Sequence, residues 1–190
     1  MSSDSTHTSS ETPRWYALKV FYNKVIPLRD ELEPYVADSY FPLKTEIVEQ
    51  GGHRQKVVRP MVASLLFVRM VPDRAAGLQH QVEGRALVYT RHTPAGSEPA
   101  PIPDGEMELF KFVTSAGHEG VEYLGADSPR YHAGDRVRVT AGPFKGAEGH
   151  IVRIRNNRRL IVSIQGLCAV ATGYIPAALL EPVEKNPLGC

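Results

Sequence analysis

The chain has 190 residues, 42% hydrophobic and 23% charged, with a net charge of +1. That length allows one large or two small domains with real cores, and near-neutrality argues against a uniformly basic protein that coats nucleic acid. Two cysteines, Cys168 and Cys190, are too few for a disulfide framework or a zinc site and fit a reducing, cytoplasmic setting. No apolar run approaches the ~18–20 residues of a membrane span, so no membrane partner is expected.

The opening "MSSDSTHTSSETP" (1–13) is polar and lacks the apolar region of a secretory signal; it is expected to be a disordered tail. "RWYALKVFY" (14–22) is aromatic and β-branched, as a first strand should be. In "NKVIPLRDELEPY", Val25, Leu28 and Leu32 fall at helical spacing; Pro27 is tolerable only in a first turn and Pro34 should end the helix. "SYFPLKTEIV" (39–48) and "HRQKVVRP" (53–60) flank a Gly-Gly pair, the signature of a β-hairpin. "SLLFVRMV" (64–71) is a buried strand, 73–84 a short helix and "ALVYTRH" (86–92) another strand. A Pro-rich connector (93–105) and a helix (106–116) complete an N-terminal α/β sandwich.

Residues 117–134 show no period and serve as the linker. From Asp135 the pattern is all β. "DRVRV", "HIVRIR", "LIVSIQ", "CAVATGYIP" and "LLEPV" are five short strands in about fifty residues, which predicts a small closed barrel. This part is locally basic: Gly134–Lys185 carries twice as many Lys/Arg as Asp/Glu, while the rest of the chain is acidic on balance.

The glycine cluster "AGPFKGAEG" (141–149) could suggest a phosphate loop. A Walker loop needs Gly-Lys-Ser/Thr running into a helix; here Lys145 precedes Gly146, no Ser/Thr follows, and the next segment is a strand. The cluster is therefore a turn between strands. The seven histidines form no metal-binding pattern, the carboxylates of 30–33 and 104–108 suit helix faces and a helix N-terminus, and Ser64 lacks a nucleophile-elbow context. No enzyme, metal or cofactor is expected. Two basic groups remain: His53, Arg54 and Lys56 beside the Gly-Gly tip, and Arg153, Arg155, Arg158 and Arg159 around "NN". Each is either a solvated strand edge or a set of phosphate contacts.

"GDRVRVTAGPFKGAEGHIVRI" (134–154) resembles the KOW motif in its Gly-Asp-x-Val-x-Val opening, its Gly-Pro-Phe-x-Gly turn and the Gly that begins the next strand. Gly134, Val137, Val139, Gly142, Phe144, Gly146 and Gly149 carry that likeness. "WYALKV", "FPLKTEIVEQGGHRQKVVRPMVASLLFVRM", "EPAPIPDGEME" and "VSIQG" resemble the N-terminal domain and barrel of NusG-type transcription factors, over roughly residues 14–183. The resemblance implies an α+β fold: an antiparallel sheet with flanking helices (14–116), a linker (117–133) and an SH3-like KOW barrel (134–184), followed by a short tail (185–190).

It further implies a non-enzymatic elongation or antitermination factor that binds the RNA polymerase clamp helices through Tyr16, Met61, Val62, Leu65 and Phe67. Its hairpins would lie near upstream DNA or nascent RNA, and its barrel would recruit a second partner; a monomer is the default. Two departures stand out. Val62-Ala63-Ser64-Leu65 replaces the family's aromatic-Pro-Gly-Tyr, and Gln165 replaces a Phe that meets the termination factor Rho or a small-subunit ribosomal protein. Gln165, with "CAVATGYIP" in place of the family's Arg-Ala-Thr-Pro-Val, points to a specialised paralogue of the polysaccharide-operon antiterminator type, without Rho as partner; the loss of aromatics at Val62–Leu65 leaves an apolar clamp-docking surface of smaller contact area. The alternative is a KOW-type ribosomal or structural RNA-binding protein.

Overall fold

The computed structural model describes residues 12–115, 120–127 and 132–183. The tail expected at 185–190, nearly all of that at 1–13 and parts of the expected linker lie outside these. The chain divides into two compact units, Met1–Phe41 with Pro60–Asp104, and Pro42–Arg59 with Gly105–Cys190. In chain order the first half runs β1 (Arg14–Val20), α1 (Val25–Leu32), β2 (Asp38–Tyr40), β3 (Leu43–Gln50), β4 (His53–Pro60), β5 (Leu65–Met70), α2 (Pro72–Gln81), β6 (Ala86–Val88), β7 (Thr90–Thr93) and β8 (Gly96–Pro99). Then follow α3 (Asp104–Thr114), β9 (Glu122–Gly125), β10 (Arg136–Val139), β11 (Glu148–Ile154), β12 (Asn157–Ile164), β13 (Cys168–Tyr174) and β14 (Leu180–Pro182).

The first unit is built on an antiparallel sheet of order β2-β5-β1-β6. Strands alternate their side chains, so Tyr16, Leu18 and Val20 share one face with Leu66, Val68 and Met70. Val25, Leu28 and Leu32 of α1 and Ala75 and Leu78 of α2 bury against that face. Each fully buried Leu removed from water contributes roughly 1.5–3 kcal/mol, so this cluster supplies much of the unit's stability. Pro72 starts α2, where its missing N–H costs nothing. Gln79 then fastens α2 to the edge strand: its Oε1 accepts the Val88 N–H at 2.9 Å and its Nε2 donates to the Ala86 carbonyl at 3.3 Å.

Two expected elements divide. The run 39–48 breaks at Phe41-Pro42, because proline offers no N–H to continue a ladder. β2 therefore joins the main sheet while β3 pairs with β4 in a separate ribbon. Residues 86–92 break at Tyr89, and part of the expected connector is β8, which pairs with β7 across a Pro94-Ala95 turn.

The second unit contains a sheet of order β14-β10-β11-β12-β13-β9. Its interior holds Val137, Val139, Phe144, Leu160, Val162, Ile164, Cys168 and Val170, all buried. Part of the stretch expected as linker is not free chain: β9 is a sixth strand, pairing Ala169 with Gly125, Val170 with Tyr123 and Ala171 with Glu122. Its alternation was hidden in the sequence because the strand is only four residues long, three of which pair. Among the described residues, no helix is long and apolar enough to cross a membrane.

Candidate functional site

The 141–149 turn is structural. Lys145 donates its N–H to the Gly142 carbonyl at 3.1 Å, and Gly146 to the Val139 carbonyl at 2.8 Å, closing a tight turn after β10. Phe144 is buried beneath this turn and Lys145 is exposed. Gly149 and Gly134 are set by close approach: a Cβ would fall 2.2 Å from the Ile161 carbonyl oxygen and 1.8 Å from that of Ile151, respectively. These positions need glycine because strand backbone passes where a side chain would start. The motif thus holds β10, β11 and β12 together and presents no anion cradle.

The basic hairpin between β11 and β12 turns at Arg155 and Asn156, both in the left-handed region (φ 50° and 65°). Arg153 lies directly opposite Arg158. Like charges across a pair destabilise a hairpin, and Arg at positive φ is strained, so this tip is not optimised for stability alone. Arg153, Arg155 and Arg158 have no carboxylate within ion-pair distance among the described residues, and Arg153 and Arg155 are exposed. Arg159 differs. Only 14% of its side chain is exposed; it pairs with Glu122 at 2.5 Å and donates to the Gly120 carbonyl at 2.6 Å. Within the expected nucleic-acid set it is the member whose charge is paired with a carboxylate, and it clasps β9. On the β3–β4 ribbon, His53, Arg54 and Lys56 are all exposed beside the Gly51-Gly52 turn. Ile47 and Val58 are exposed on the same ribbon, at 64% and 60%.

The expected apolar surface is divided by the sheet. Tyr16 stands opposite Val68 and belongs to the helix-covered face, whereas Leu65 and Phe67 pair with Lys19 and Ala17 and point to the other face. Tyr16, Leu65 and Phe67 are also buried, at 3%, 3% and 0% exposure. Alternation along a strand forbids a single surface from containing all three. Met61 and Val62 are half-buried in the turn between β4 and β5, where the Leu65 N–H reaches the Val62 carbonyl at 3.3 Å. They are the members of the expected set that reach solvent.

Titratable groups in the second unit follow their surroundings. Burial pushes the Cys168 thiol up to about 12, which keeps it protonated and inert. Burial works to raise Asp127, but the Gly166 N–H and hydrogen bonds from His132 and Ser163 outweigh it and hold the carboxyl low. Burial, with His132 and Arg136 nearby, lowers His150. Among the described residues no group of three or more His, Cys, Asp or Glu could hold a metal ion.

The fold defines the class: an α+β unit together with a strand-rich one, with unpaired cations at hairpin tips among the described residues. Two family profiles match: "Transcription termination factor nusG" over residues 13–111, just over half the chain, and "KOW motif" over 133–164. The chain belongs to the NusG family of transcription termination and antitermination factors. A relative from Haemophilus influenzae, "Transcription termination/antitermination protein NusG", is 26% identical, with 83% of this chain and 87% of that one covered. A solved structure titled "Domain interaction in Thermotoga maritima NusG" overlays with a TM-score of 0.47 at 19% identity, covering 90% of this chain and 98% of that one.

Proposed function

We propose that this protein is an elongation and antitermination factor whose N-terminal unit binds the RNA polymerase clamp helices and suppresses pausing or termination. The observation that supports the reading is the match of the NusG profile across the α+β unit, at whose surface Met61 and Val62 stand half-buried. Leu65 and Phe67 are buried, so they support the strand rather than touch a partner. The exposed cations His53, Arg54, Lys56, Arg153 and Arg155, with the half-buried Arg158, contact upstream DNA or nascent RNA. The barrel recruits a second partner, and linking two modules raises the local concentration of that partner at the polymerase.

Gln165, exposed in the β12–β13 turn, offers a polar surface where the resemblance would place Phe, which favours a specialised paralogue that does not bind Rho. The test is co-purification with core polymerase from the native cell. Val62→Glu should abolish it while the fold survives; undiminished binding removes the proposed surface. Sedimentation of the wild type with ribosomes instead of polymerase would favour the structural RNA-binding alternative, and micromolar Rho binding would remove the paralogue reading.

A further inference from the structure

The barrel's outer edge carries its own clue to the second partner. β13 is the longest-buried strand of the sheet, and the segment covering its free edge is only four residues long. Three residue pairs join them, with an irregularity in register between Ala169 and Val170. Gly120, just before β9, and Gly125, its last residue, are both at positive φ (79° and 90°), where the chain turns away readily. Its outward-facing residues do the gripping. Glu122 pairs with Arg159, and Leu124 packs on the cluster of Ile161, Ala169 and Ala171. Those two alanines are fully buried, and Leu124 packs against the cluster they form with Ile161. The ion pair is partly open to water, with Glu122 45% exposed.

We propose that β9 is a displaceable strap, and that the β13 edge beneath it accepts an extended segment of a protein partner with the same chemistry: an acidic residue two positions before an aliphatic one. Strand addition of this kind draws affinity from the main-chain ladder and specificity from alternate side-chain sites. Here the two sites are the Arg159 guanidinium and the cluster of Ile161, Ala169 and Ala171. The intramolecular strand protects an edge that would otherwise invite indiscriminate pairing. Only a partner that matches both sites and arrives at high local concentration displaces it. This inference rests on the reading of the barrel as a recruitment module.

The probe is a fluorescent synthetic peptide copying Gly120–Asp127, titrated against the full chain by anisotropy. Wild-type protein should bind it weakly, because β9 competes at an effective concentration of about millimolar. Glu122→Arg sets like charges against each other and loosens the strap, so peptide affinity should rise about tenfold. Adding Arg159→Glu re-forms the pair with reversed charges and repels the acidic peptide, so the gain should vanish. In the wild type, the Tyr123 and Leu124 amides should exchange with deuterium well before those of Val162 and Ile164. Equal peptide affinity in wild type and Glu122→Arg, binding to neither, or β9 amides as protected as those of β12 would each show a fixed sixth strand and overturn the proposal. Polymerase co-purification is independent of these outcomes, so failure here and failure of the proposed function are separable.

Discussion

The hairpin at Arg153–Arg158 offers the sharpest test, because the structure separates free from neutralised cations of the same type. Arg153, Arg155 and Arg158 lack carboxylate partners among the described residues, while Arg159 is paired with Glu122. If the hairpin holds nucleic acid, each free Arg that meets a phosphate releases a counterion and adds about 0.7 to the salt slope for single strands. Replacing all three with Gln should lower the slope by about 2. Between roughly 50 and 200 mM salt, the wild type should then lose about twentyfold more affinity than the triple variant. Arg159→Gln should leave the slope unchanged, since its charge is spent on Glu122. Binding of a labelled oligonucleotide across a salt series measures both. An unchanged slope in the triple variant, or an equal drop in Arg159→Gln, would refute the division between free and neutralised charges.

Three further outcomes are expected. Gly149→Ala places a Cβ where the Ile161 carbonyl oxygen stands, so β11 and β12 must part; thermal unfolding should report a loss of about 1–3 kcal/mol or more. Leu66→Ala opens a cavity in a fully buried cluster and should cost about 2–5 kcal/mol by denaturant titration; a loss under ~1 kcal/mol would mean that the core collapses around it. His150 has a folded pKa below its unfolded value, so as pH falls the unfolded chain takes the proton first. Its contribution is fully present above about 6.5 and is lost as pH falls through the folded value; His150→Gln should flatten the stability profile in that window.

Local chemistry was legible where one residue type decides one feature. Val25, Leu28 and Leu32 mark α1 by spacing alone, and the Gly-Gly pair marks the ribbon turn. The rejection of a phosphate loop at 141–149 also needed only order: a lysine before its glycine, then a strand. Strands were harder, because a run of extended residues does not say which neighbour it pairs with. Pro42 and Tyr89 each divide a continuous-looking run between two sheets. β9 was missed because four residues ending in a glycine carry too little alternation to show against a linker-like composition.

The candidate sites split along the same line. The charges of Arg153, Arg155, Arg158 and Arg159 are identical in the sequence, yet one of them is spent on a carboxylate 37 residues away. Tyr16, Leu65 and Phe67 look like one apolar set until antiparallel register sends Tyr16 to the opposite face. Composition, spacing and motif order determined the fold class and the family, because these depend on local propensity and periodicity. Which charges are free, which aromatic faces which layer, and which strand covers the barrel's edge were decided only by tertiary pairing, because each depends on a partner that sequence proximity does not name.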